Sequence, residues 1–472
     1  MTFTPEQTEE RAASTTDYPV QGSSPTIRGN QPPTSRDDGA TRNGRAGRGD
    51  TAGQRGGTTS GDQQSGTDVS VAFVSTPGDG SCGIGTYTRD LSEAYDGGDT
   101  ETIPIAQDSR TVGHFLALAW RAVTSDADVV HVQHEYGLFR REGSRYPGIM
   151  GLVFFPALLL GNLLADKGIV VTMHSVLKPS PADASLRVRL YLQIMHQLIA
   201  GASDHLVFLA ADCERRFHED VRADRPPYSV LAHGVNAGKA SDVPRTAAKE
   251  RLGFAADAQV VVIPGFLRPP KGHDIFVAVA RHLPDVQFLI AGGARPKGED
   301  FDFAREIASE APDNVTITGV LDDASFPATL AAADLALLPY RVVSQSGTFN
   351  WCAAQELPIL ASDEPYFQRI ANDWDALEIT PLDDPAAIAR RVESLLDDPD
   401  RRTTLSEHVR QYKTLNSFDR VASDHWQLYR SLRGDYDAVV ATTADATAHA
   451  DRTQPLRAAC SAQRGGAIHS DD

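Results

Sequence analysis

DLALLPYRVVSQSGTFNWCAAQELPILAS, residues 334–362, is the stretch on which the fold turns. Leu335–Leu338 is a short apolar run flanked by turn signals, which suits a strand buried on both faces of a parallel sheet. A polar loop follows at 340–347, then a helix over 348–356 and a second apolar strand at 359–361. The loop therefore hands strand over to helix at the carboxyl edge of the sheet. There the first helical N–H groups lack partners, and the helix dipole favours an anion. Gly347 lets a ligand approach the backbone, while Ser344, Ser346 and Thr348 add hydroxyls. An ordinary N-cap with no ligand fits this stretch equally well, so the rest of the chain has to decide.

Working outward, the same alternation extends in both directions. Upstream lie a strand at 260–263, the loop GFLRPPKGHD (265–274) and a helix from about Asp274. Strand QFLIAGG, a helix near 303–310, strand NVTITG and a helix at 326–333 lead into the opening stretch. Downstream, strand LEIT, a helix at 385–396 and a helical region over 412–432 complete this half. The pattern breaks at 236–245 into Ala, Gly, Lys, Ser, Asp and Pro, which reads as a linker.

Before the linker the alternation runs once more. VSVAFV, from Val69, leads into a loop bearing Gly78, Gly80, Gly83 and Gly85, with a helix from about Tyr87. ETIPIA and HFLALAWRAV follow. DVVHVQ ends in the polar cluster His131, Gln133, His134, Glu135 and Tyr136. The nearly all-apolar run 148–165 precedes IVVTMH, which ends at His174. A helix at 186–200 and the strands HLVFLA and YSVLAHGV close the half. The fold class expected is α/β: two doubly wound, Rossmann-like domains at 67–238 and 246–415. Residues 1–66 and 435–472 have too few large apolar side chains to offset their ordering entropy and are expected to be disordered.

Composition narrows the function. The 472 residues carry a formal net charge of -18, and only seven of the 45 basic residues are lysine. Such an acidic, arginine-biased surface suits solubility in concentrated salt and lacks the basic stripe of a nucleic-acid binder. Cys82, Cys213, Cys352 and Cys460 form no CxxC pair, so neither a disulfide framework nor a zinc site is expected. No charged n-region precedes an apolar core at the N-terminus, so no signal peptide is expected and the reading is cytoplasmic. The run 148–165 reaches membrane-spanning length, but Pro156 and Asn162 interrupt it. It reads as a buried helix, or alternatively as one lying in a membrane interface.

Ligands of open α/β sheets bind outside the carboxyl ends of the strands. The polar loops fall there in both halves: 83–88, 133–136, His174, 268–271 and 340–348. Two such edges facing each other make an interdomain cleft. Arg268 and Lys271 offer cations where a leaving diphosphate develops charge, and Arg341 would face the same anion from the other side. HVQHE is not HExxH, and a strand puts His131 and His134 on opposite faces, so no metal is expected there. The DxD strings at 126–128 and 300–302 open a strand and lie in a charged loop, respectively. A metal-diphosphate role for either is weak.

Taken together, CGIGTYTRDL (82–91), VVHVQHEYGLF (129–139), VVTMHSVL (170–177), AHGV (232–235), GFLRPPKGHD (265–274) and LPYRVVSQSG (338–347) resemble retaining glycosyltransferases of family 4. They occur in that family's order over 69–434. The resemblance implies a GT-B architecture, with two Rossmann-like domains clasping a nucleotide-sugar donor. It also implies a last helix, 416–434 with Phe418, Trp426 and Tyr429, crossing back to the first domain. On this analogy Lys271, with Arg268, holds the donor diphosphate, and His174 contacts the transferring sugar or its phosphate. Gly83, Gly85, Gly265, Arg341, Gln345, Ser346, Gly347 and Thr348 line the donor site, while Gln133, His134, Glu135 and Tyr136 lie on the acceptor side. No metal or other cofactor is implied. The partners implied are a UDP- or GDP-linked hexose and a glycan or lipid-linked hydroxyl acceptor, with peripheral membrane contact as an option.

Two departures stand out. Aligned on Pro358, the family's Glu-x7-Glu pair falls on Val343 and Trp351, and the GR before the lysine loop reads Gly265-Phe266. A catalytically silent GT-B partner subunit and a GT-B nucleotide-sugar epimerase are the rival readings.

Overall fold

The computed structural model describes residues 68–433, apart from 81, 107–109, 142, 143, 145, 178–185, 222–225 and 295–300. Both proposed tails, with Cys460, lie outside the described residues, as does Asp300.

Six strands form the first sheet: β1 (Val71–Ser75), β2 (Thr100–Pro104), β3 (Val129–His134), β4 (Gly168–Met173), β5 (His205–Phe208) and β6 (Tyr228–Val230). Every pairing is parallel, in the order β2-β1-β3-β4-β5-β6. The intervening helices are α1 (Gly83–Ala94), α2 (Val112–Thr124), α3 (Gly151–Ala165), α4 (Leu186–Gly201) and α5 (Ala211–Asp220). Strand alternation divides the core between two faces. Val71, Phe73, Val129 and Val170 pack with α1, whereas Ala72, Val74, Val130 and Val132 pack with α2, α3, α4 and α5.

After a 3-10 turn at Ala237–Lys239 and α6 (Arg245–Arg251), the second sheet holds β7 (Val260–Pro264), β8 (Gln287–Ala291), β9 (Val315–Ile317), β10 (Leu335–Leu338), β11 (Ile359–Ser362) and β12 (Glu378–Thr380). It too is all parallel, in the order β12-β11-β10-β7-β8-β9. Renumbered within the half, this is the dinucleotide-binding order 3-2-1-4-5-6. The order reverses between β7 and β10, and a crevice opens beyond the carboxyl ends of these two strands. Its helices are α7 (His273–Ala280), α8 (Phe301–Glu310), α9 (Ser325–Leu330), α10 (Gly347–Ala354), α11 (Pro365–Trp374), α12 (Pro385–Asp397) and α13 (Pro399–Leu415). Proline opens α11, α12 and α13, where a missing N–H costs nothing, and Asp384 and Asp398 cap the last two.

The last helix, α14 (Phe418–Leu432), packs on the first sheet beside α1, with Phe418, Val421 and Tyr429 against Phe73, Tyr87 and Leu91. Outgoing and returning chains run side by side here. Val235 N–H donates to the Asn416 carbonyl (2.7 Å) and Phe418 N–H to that of Val235 (3.1 Å).

Several element limits differ from expectation for local reasons. α1 starts at Gly83 rather than near Tyr87, so Gly83 and Gly85 belong to its first turn. A side chain at Gly85 would sit 2.0 Å from the Pro77 carbonyl, so glycine there serves close helix–loop packing. The last strand of the first half stops at Val230, and AHGV forms the connection. Residues 412–432 are not one helix: Asn416 and Ser417 end α13 and cap α14. α5 and α11 were unread in the sequence, although each buries an apolar stripe, Cys213 and Phe217 in the first and Tyr366, Phe367 and Ile370 in the second.

Candidate active site: two strand edges across a cleft

The second-half wall is built at the β7/β10 crevice. Gly265, just past β7, has φ +96°, and a Cβ there would fall 2.4 Å from Lys271 Nζ and 2.7 Å from Thr348 Cγ2. Only glycine leaves that path open. The Lys271 ammonium thus passes over Gly265 toward the start of α10, 5.6 Å from the Tyr340 ring centroid. Tyr340 hydroxyl bonds Thr348 Oγ1 (2.5 Å), and Ser346 Oγ lies 3.0 Å from the same oxygen. Ser346 caps α10 by accepting from Phe349 N–H (3.0 Å). Gly347 is the first helical residue, and Gln345, half-buried, has a buried Oε1 without a hydrogen-bond partner. A cation and a helix N-terminus therefore converge on one small space, which suits a diphosphate.

Arg341 plays a different part from the one expected of it. Its guanidinium forks onto Asp274 (2.8 and 2.5 Å) and donates to the Pro269 carbonyl (2.9 Å), while its N–H donates to the Pro270 carbonyl (2.8 Å). It clamps the turn that carries Lys271 rather than facing an anion. A bidentate carboxylate outcompetes a contact across open solvent.

Across the cleft, His174 follows β4. It is buried, and its Nε2 is 2.8 Å from Gln133 Oε1, while Nδ1 has no hydrogen-bond partner. Burial, with His233 and His134 nearby, pushes its pKa down to about 3, so the ring is neutral. Behind it runs a polar chain. Gln133 Nε2 lies 3.4 Å from His131 Nε2, which is 2.7 Å from Thr172 Oγ1, and His131 Nδ1 is 2.6 Å from the Tyr429 hydroxyl. The crossing helix thus braces His174 through Gln133 and His131. Glu135 accepts from Ser175 Oγ (2.6 Å), and burial raises its pKa against the opposing pull of Arg268 from the second half.

Two residues expected on the acceptor side lie in the core instead. His134 is fully buried, with both ring nitrogens unpartnered, and stacks on Phe139. Its side chain shares the strand face of Val130 and Val132, opposite to His131 and Gln133, because successive residues alternate. The Tyr136 hydroxyl bonds His196 Nε2 (2.5 Å), and His196 in turn bonds Asp220 (2.9 Å), linking α4 and α5. Both are structural.

Three residues missed in the sequence bring the walls together. The Tyr87 ring lies 5.0 Å from that of His174 and 4.9 Å from that of His233. Asn350, in α10, donates to His233 Nδ1 (2.7 Å), the His233 carbonyl (2.9 Å) and the Gly234 carbonyl (3.2 Å). A Cβ on Gly347 would be 3.7 Å from His233 Nε2. His233 therefore sits between the first turns of α1 and α10, and burial lowers its pKa to about 4. AHGV was the available signal, read as the end of a strand and as one of the family-like motifs, with no part given to His233. Space beside Gly83 is open within 4 Å. On the flanks, Arg89 of α1 donates to Asp323 (2.8 Å), and Arg369 of α11 pairs with Asp212 of α5 (3.5 Å).

Among the described residues no cluster of three His, Cys, Asp or Glu could hold a metal ion. Asp128 of the first DxD string instead accepts from the Ser70 N–H and hydroxyl, locking two strand ends together. Trp351 and Val343, at the Glu-x7-Glu positions, are partly buried, with Trp351 edge-on to Phe326 at 5.3 Å.

Comparison with known proteins agrees with this geometry. Residues 258–398 match the family model described as Glycosyl transferases group 1, so the second half carries a domain of that group. The alpha-D-kanosaminyltransferase of Streptomyces kanamyceticus is 29% identical over 171 residues, 35% of this chain and 43% of its own length. The phosphatidyl-myo-inositol mannosyltransferase of Mycolicibacterium smegmatis is 25% identical over 294 residues, 59% of this chain and 69% of its own. The chain thus spans less than half the length of the first of these relatives. HepE of Anabaena, solved in complex with UDP, superposes with a TM-score of 0.60 at 15% identity, covering 77% of this chain and all of that one. At that identity the likeness is one of fold, and the fold is GT-B: two Rossmann-like domains facing across a cleft.

Proposed function

We propose that this protein is a retaining hexosyltransferase that moves a sugar from a UDP- or GDP-linked donor to a hydroxyl of a glycan or lipid-linked acceptor. The observation that carries the proposal is the convergence of Lys271 Nζ, Gly265, Thr348 and the α10 N-terminus at the β7/β10 crevice. A hexosyl group leaves as an oxocarbenium-like centre, and negative charge grows on the departing β-phosphate oxygen. A fixed ammonium and helix N–H groups stabilise that charge more in the transition state than in the ground state. Arg268, beside the Lys271 turn, adds a second cation within reach of both walls.

His174 meets the sugar from the other side. Its Gln133-bonded ring is held neutral, and its partnerless Nδ1 is the polar atom left to bond a sugar hydroxyl. Attack on the same face as departure, with the leaving phosphate taking the acceptor proton, gives retention without a protein nucleophile. The chemistry needs no metal, since the cationic wall supplies the countercharge. The relatives' printed names, a kanosaminyl- and a mannosyltransferase, support the transfer of a sugar, and the HepE complex supports a uridine nucleotide in this fold.

The test is incubation with UDP- and GDP-hexoses and simple acceptors in the presence of a chelator, with the product anomer read by NMR. A glycoside of unchanged anomeric configuration is expected. An inverted product would overturn retention, and a chelator-sensitive rate would overturn metal independence. The silent-subunit reading draws on Val343 and Trp351 replacing two carboxylates; nucleotide binding without turnover on any acceptor would favour it.

A further inference from the structure

We infer that His233 is a further catalytic residue, whose Nε2–H donates a hydrogen bond to the donor's diphosphate beside the first turn of α10. The inference rests on the transferase reading above and adds a residue to its phosphate site. His233 lies half-buried in the connection between the two halves, and Asn350, buried in α10, holds it there. The Asn350 amide nitrogen is 2.7 Å from His233 Nδ1, 2.9 Å from the His233 carbonyl and 3.2 Å from the Gly234 carbonyl. The two carbonyls decide which way the amide faces, since only its nitrogen can donate to them. That nitrogen cannot accept, so Nδ1, the nearest of its three neighbours, has to be the acceptor. Nδ1 is also 3.1 Å from the Gly234 carbonyl, but a proton on Nδ1 would leave two donors facing each other at 2.7 Å. A neutral imidazole has one proton, and with Nδ1 accepting it sits on Nε2.

That proton faces the phosphate site. The ring edge formed by Nε2 and Cε1 lies 3.7 and 3.8 Å from where a Cβ would stand on Gly347, the first residue of α10. The Lys271 ammonium reaches the neighbouring residue, Thr348, across Gly265. An anion seated on the N–H groups of this turn therefore meets the imidazole at Gly347 and the ammonium at Thr348. Among the described residues Nε2 takes part in no hydrogen bond, so holding the fold together uses only Nδ1 and the backbone. The ring itself is fixed by packing, 4.9 Å from the Tyr87 ring and 6.3 Å from that of Phe418. Tyr87 also lies 5.0 Å from His174, so one tyrosine spaces the histidine that meets the sugar from the one that meets the phosphate. Burial keeps His233 neutral, with its pKa lowered to about 4. A neutral N–H stabilises charge growing on the leaving phosphate and keeps its own proton. The phosphate oxygen then remains free to take the proton of the acceptor hydroxyl.

The test binds inorganic pyrophosphate to the full chain, read by titration calorimetry and by NMR of the histidine rings. In the free protein His233 should carry its proton on Nε2, and that resonance should move downfield on saturation with pyrophosphate. His233→Phe keeps a ring against Tyr87 and Phe418 and leaves both Asn350 amide hydrogens their backbone carbonyls. Its thermal midpoint should therefore hold while pyrophosphate binds at least tenfold more weakly. His233→Gln, whose amide nitrogen mimics imidazole Nε2, should recover most of that loss. Asn350→Ala should leave the two tautomers mixed and weaken binding several-fold, as a positioning residue requires. A proton found on Nδ1 in wild type, or an Nε2 resonance that saturating pyrophosphate does not move, would overturn the assignment. Binding abolished in Lys271→Ala yet unchanged in His233→Phe would overturn this role alone. Wild type that binds neither pyrophosphate nor UDP nor GDP would overturn the phosphate site, and this role with it.

Discussion

At the carboxyl edge of the first sheet the polar groups are buried and neutral, whereas at the edge of the second they are cationic and half-open to solvent. Among the histidines packed on or beside the first sheet, His131, His134, His174, His205, His233 and His425 have pKa values driven down by burial. The second edge instead presents Lys271, Arg268 and the α10 N-terminus. Two all-parallel, six-stranded sheets of different strand order thus yield a dry wall that orients by hydrogen bonds and a wet wall that binds by charge. The difference lies in what covers each edge. α14 and Tyr429 seal the first, while Gly265 and the clamped 268–271 turn keep the second open.

Acid should break this contrast most visibly. The cited folded-state pKa values, about 3 for His134 and His174 and about 4 for His205, His233 and His425, lie below that of an unfolded histidine. Between the two values the unfolded chain binds more protons. Stability is therefore full above about pH 6.5 and falls as pH drops toward 4, on the order of 1.4 kcal/mol per pH unit for each such histidine. In the second half the same argument applies to His273. Hydrogen exchange at pH 5 should show β3, β4 and β5 opening before β7, β8 and β10. Simultaneous opening would mean that the buried histidines do not set acid lability.

Lys271→Ala comes next. Steady-state kinetics should show kcat/KM down by about 2–4 kcal/mol of transition-state stabilisation. The thermal midpoint should barely move, since the side chain is only partly buried. Unchanged turnover would remove the cationic wall from the mechanism. Gly265→Ala should act on both quantities, because φ +96° strains an alanine by about 1–2 kcal/mol and its Cβ displaces the ammonium. A lowered melting temperature with intact donor affinity would show that the amine reaches its anion by another path.

The smallest effect sharpens the part played by Arg341. If it holds the lysine turn, Arg341→Ala and Asp274→Ala should weaken donor binding alike, by about 1 kcal/mol or less for so exposed a pair. If it touches phosphate directly, only the arginine variant will weaken binding, and titration calorimetry separates the two.

The comparison also explains what could be read from the chain alone. Strands buried on both faces are apolar throughout, so β7, β8 and β10 and their order in the chain were legible. The glycines and the lysine of the open wall were legible too, because exposed loop chemistry keeps its residue types visible. The dry wall was harder. His134 and Tyr136 carry the same letters as cleft residues, and only strand alternation and packing against Phe139 and His196 place them inward. Asn350 looks like any polar helix residue until its amide is seen holding His233 and Gly234 from the other half. Arg341 was assigned by its charge, yet its role depends on Asp274, which is 67 residues away and adjacent only in the fold.

The most direct measurement is thermal unfolding of wild type and Lys271→Ala against UDP, GDP and ADP with no metal added. A nucleotide binding the folded state alone, at a hundred times its dissociation constant, should add about 2.7 kcal/mol. The account predicts that stabilisation with one base in wild type and its loss in Lys271→Ala. An equal shift in both proteins, or no shift with any nucleotide in folded wild type, would contradict a diphosphate site at the β7/β10 crevice.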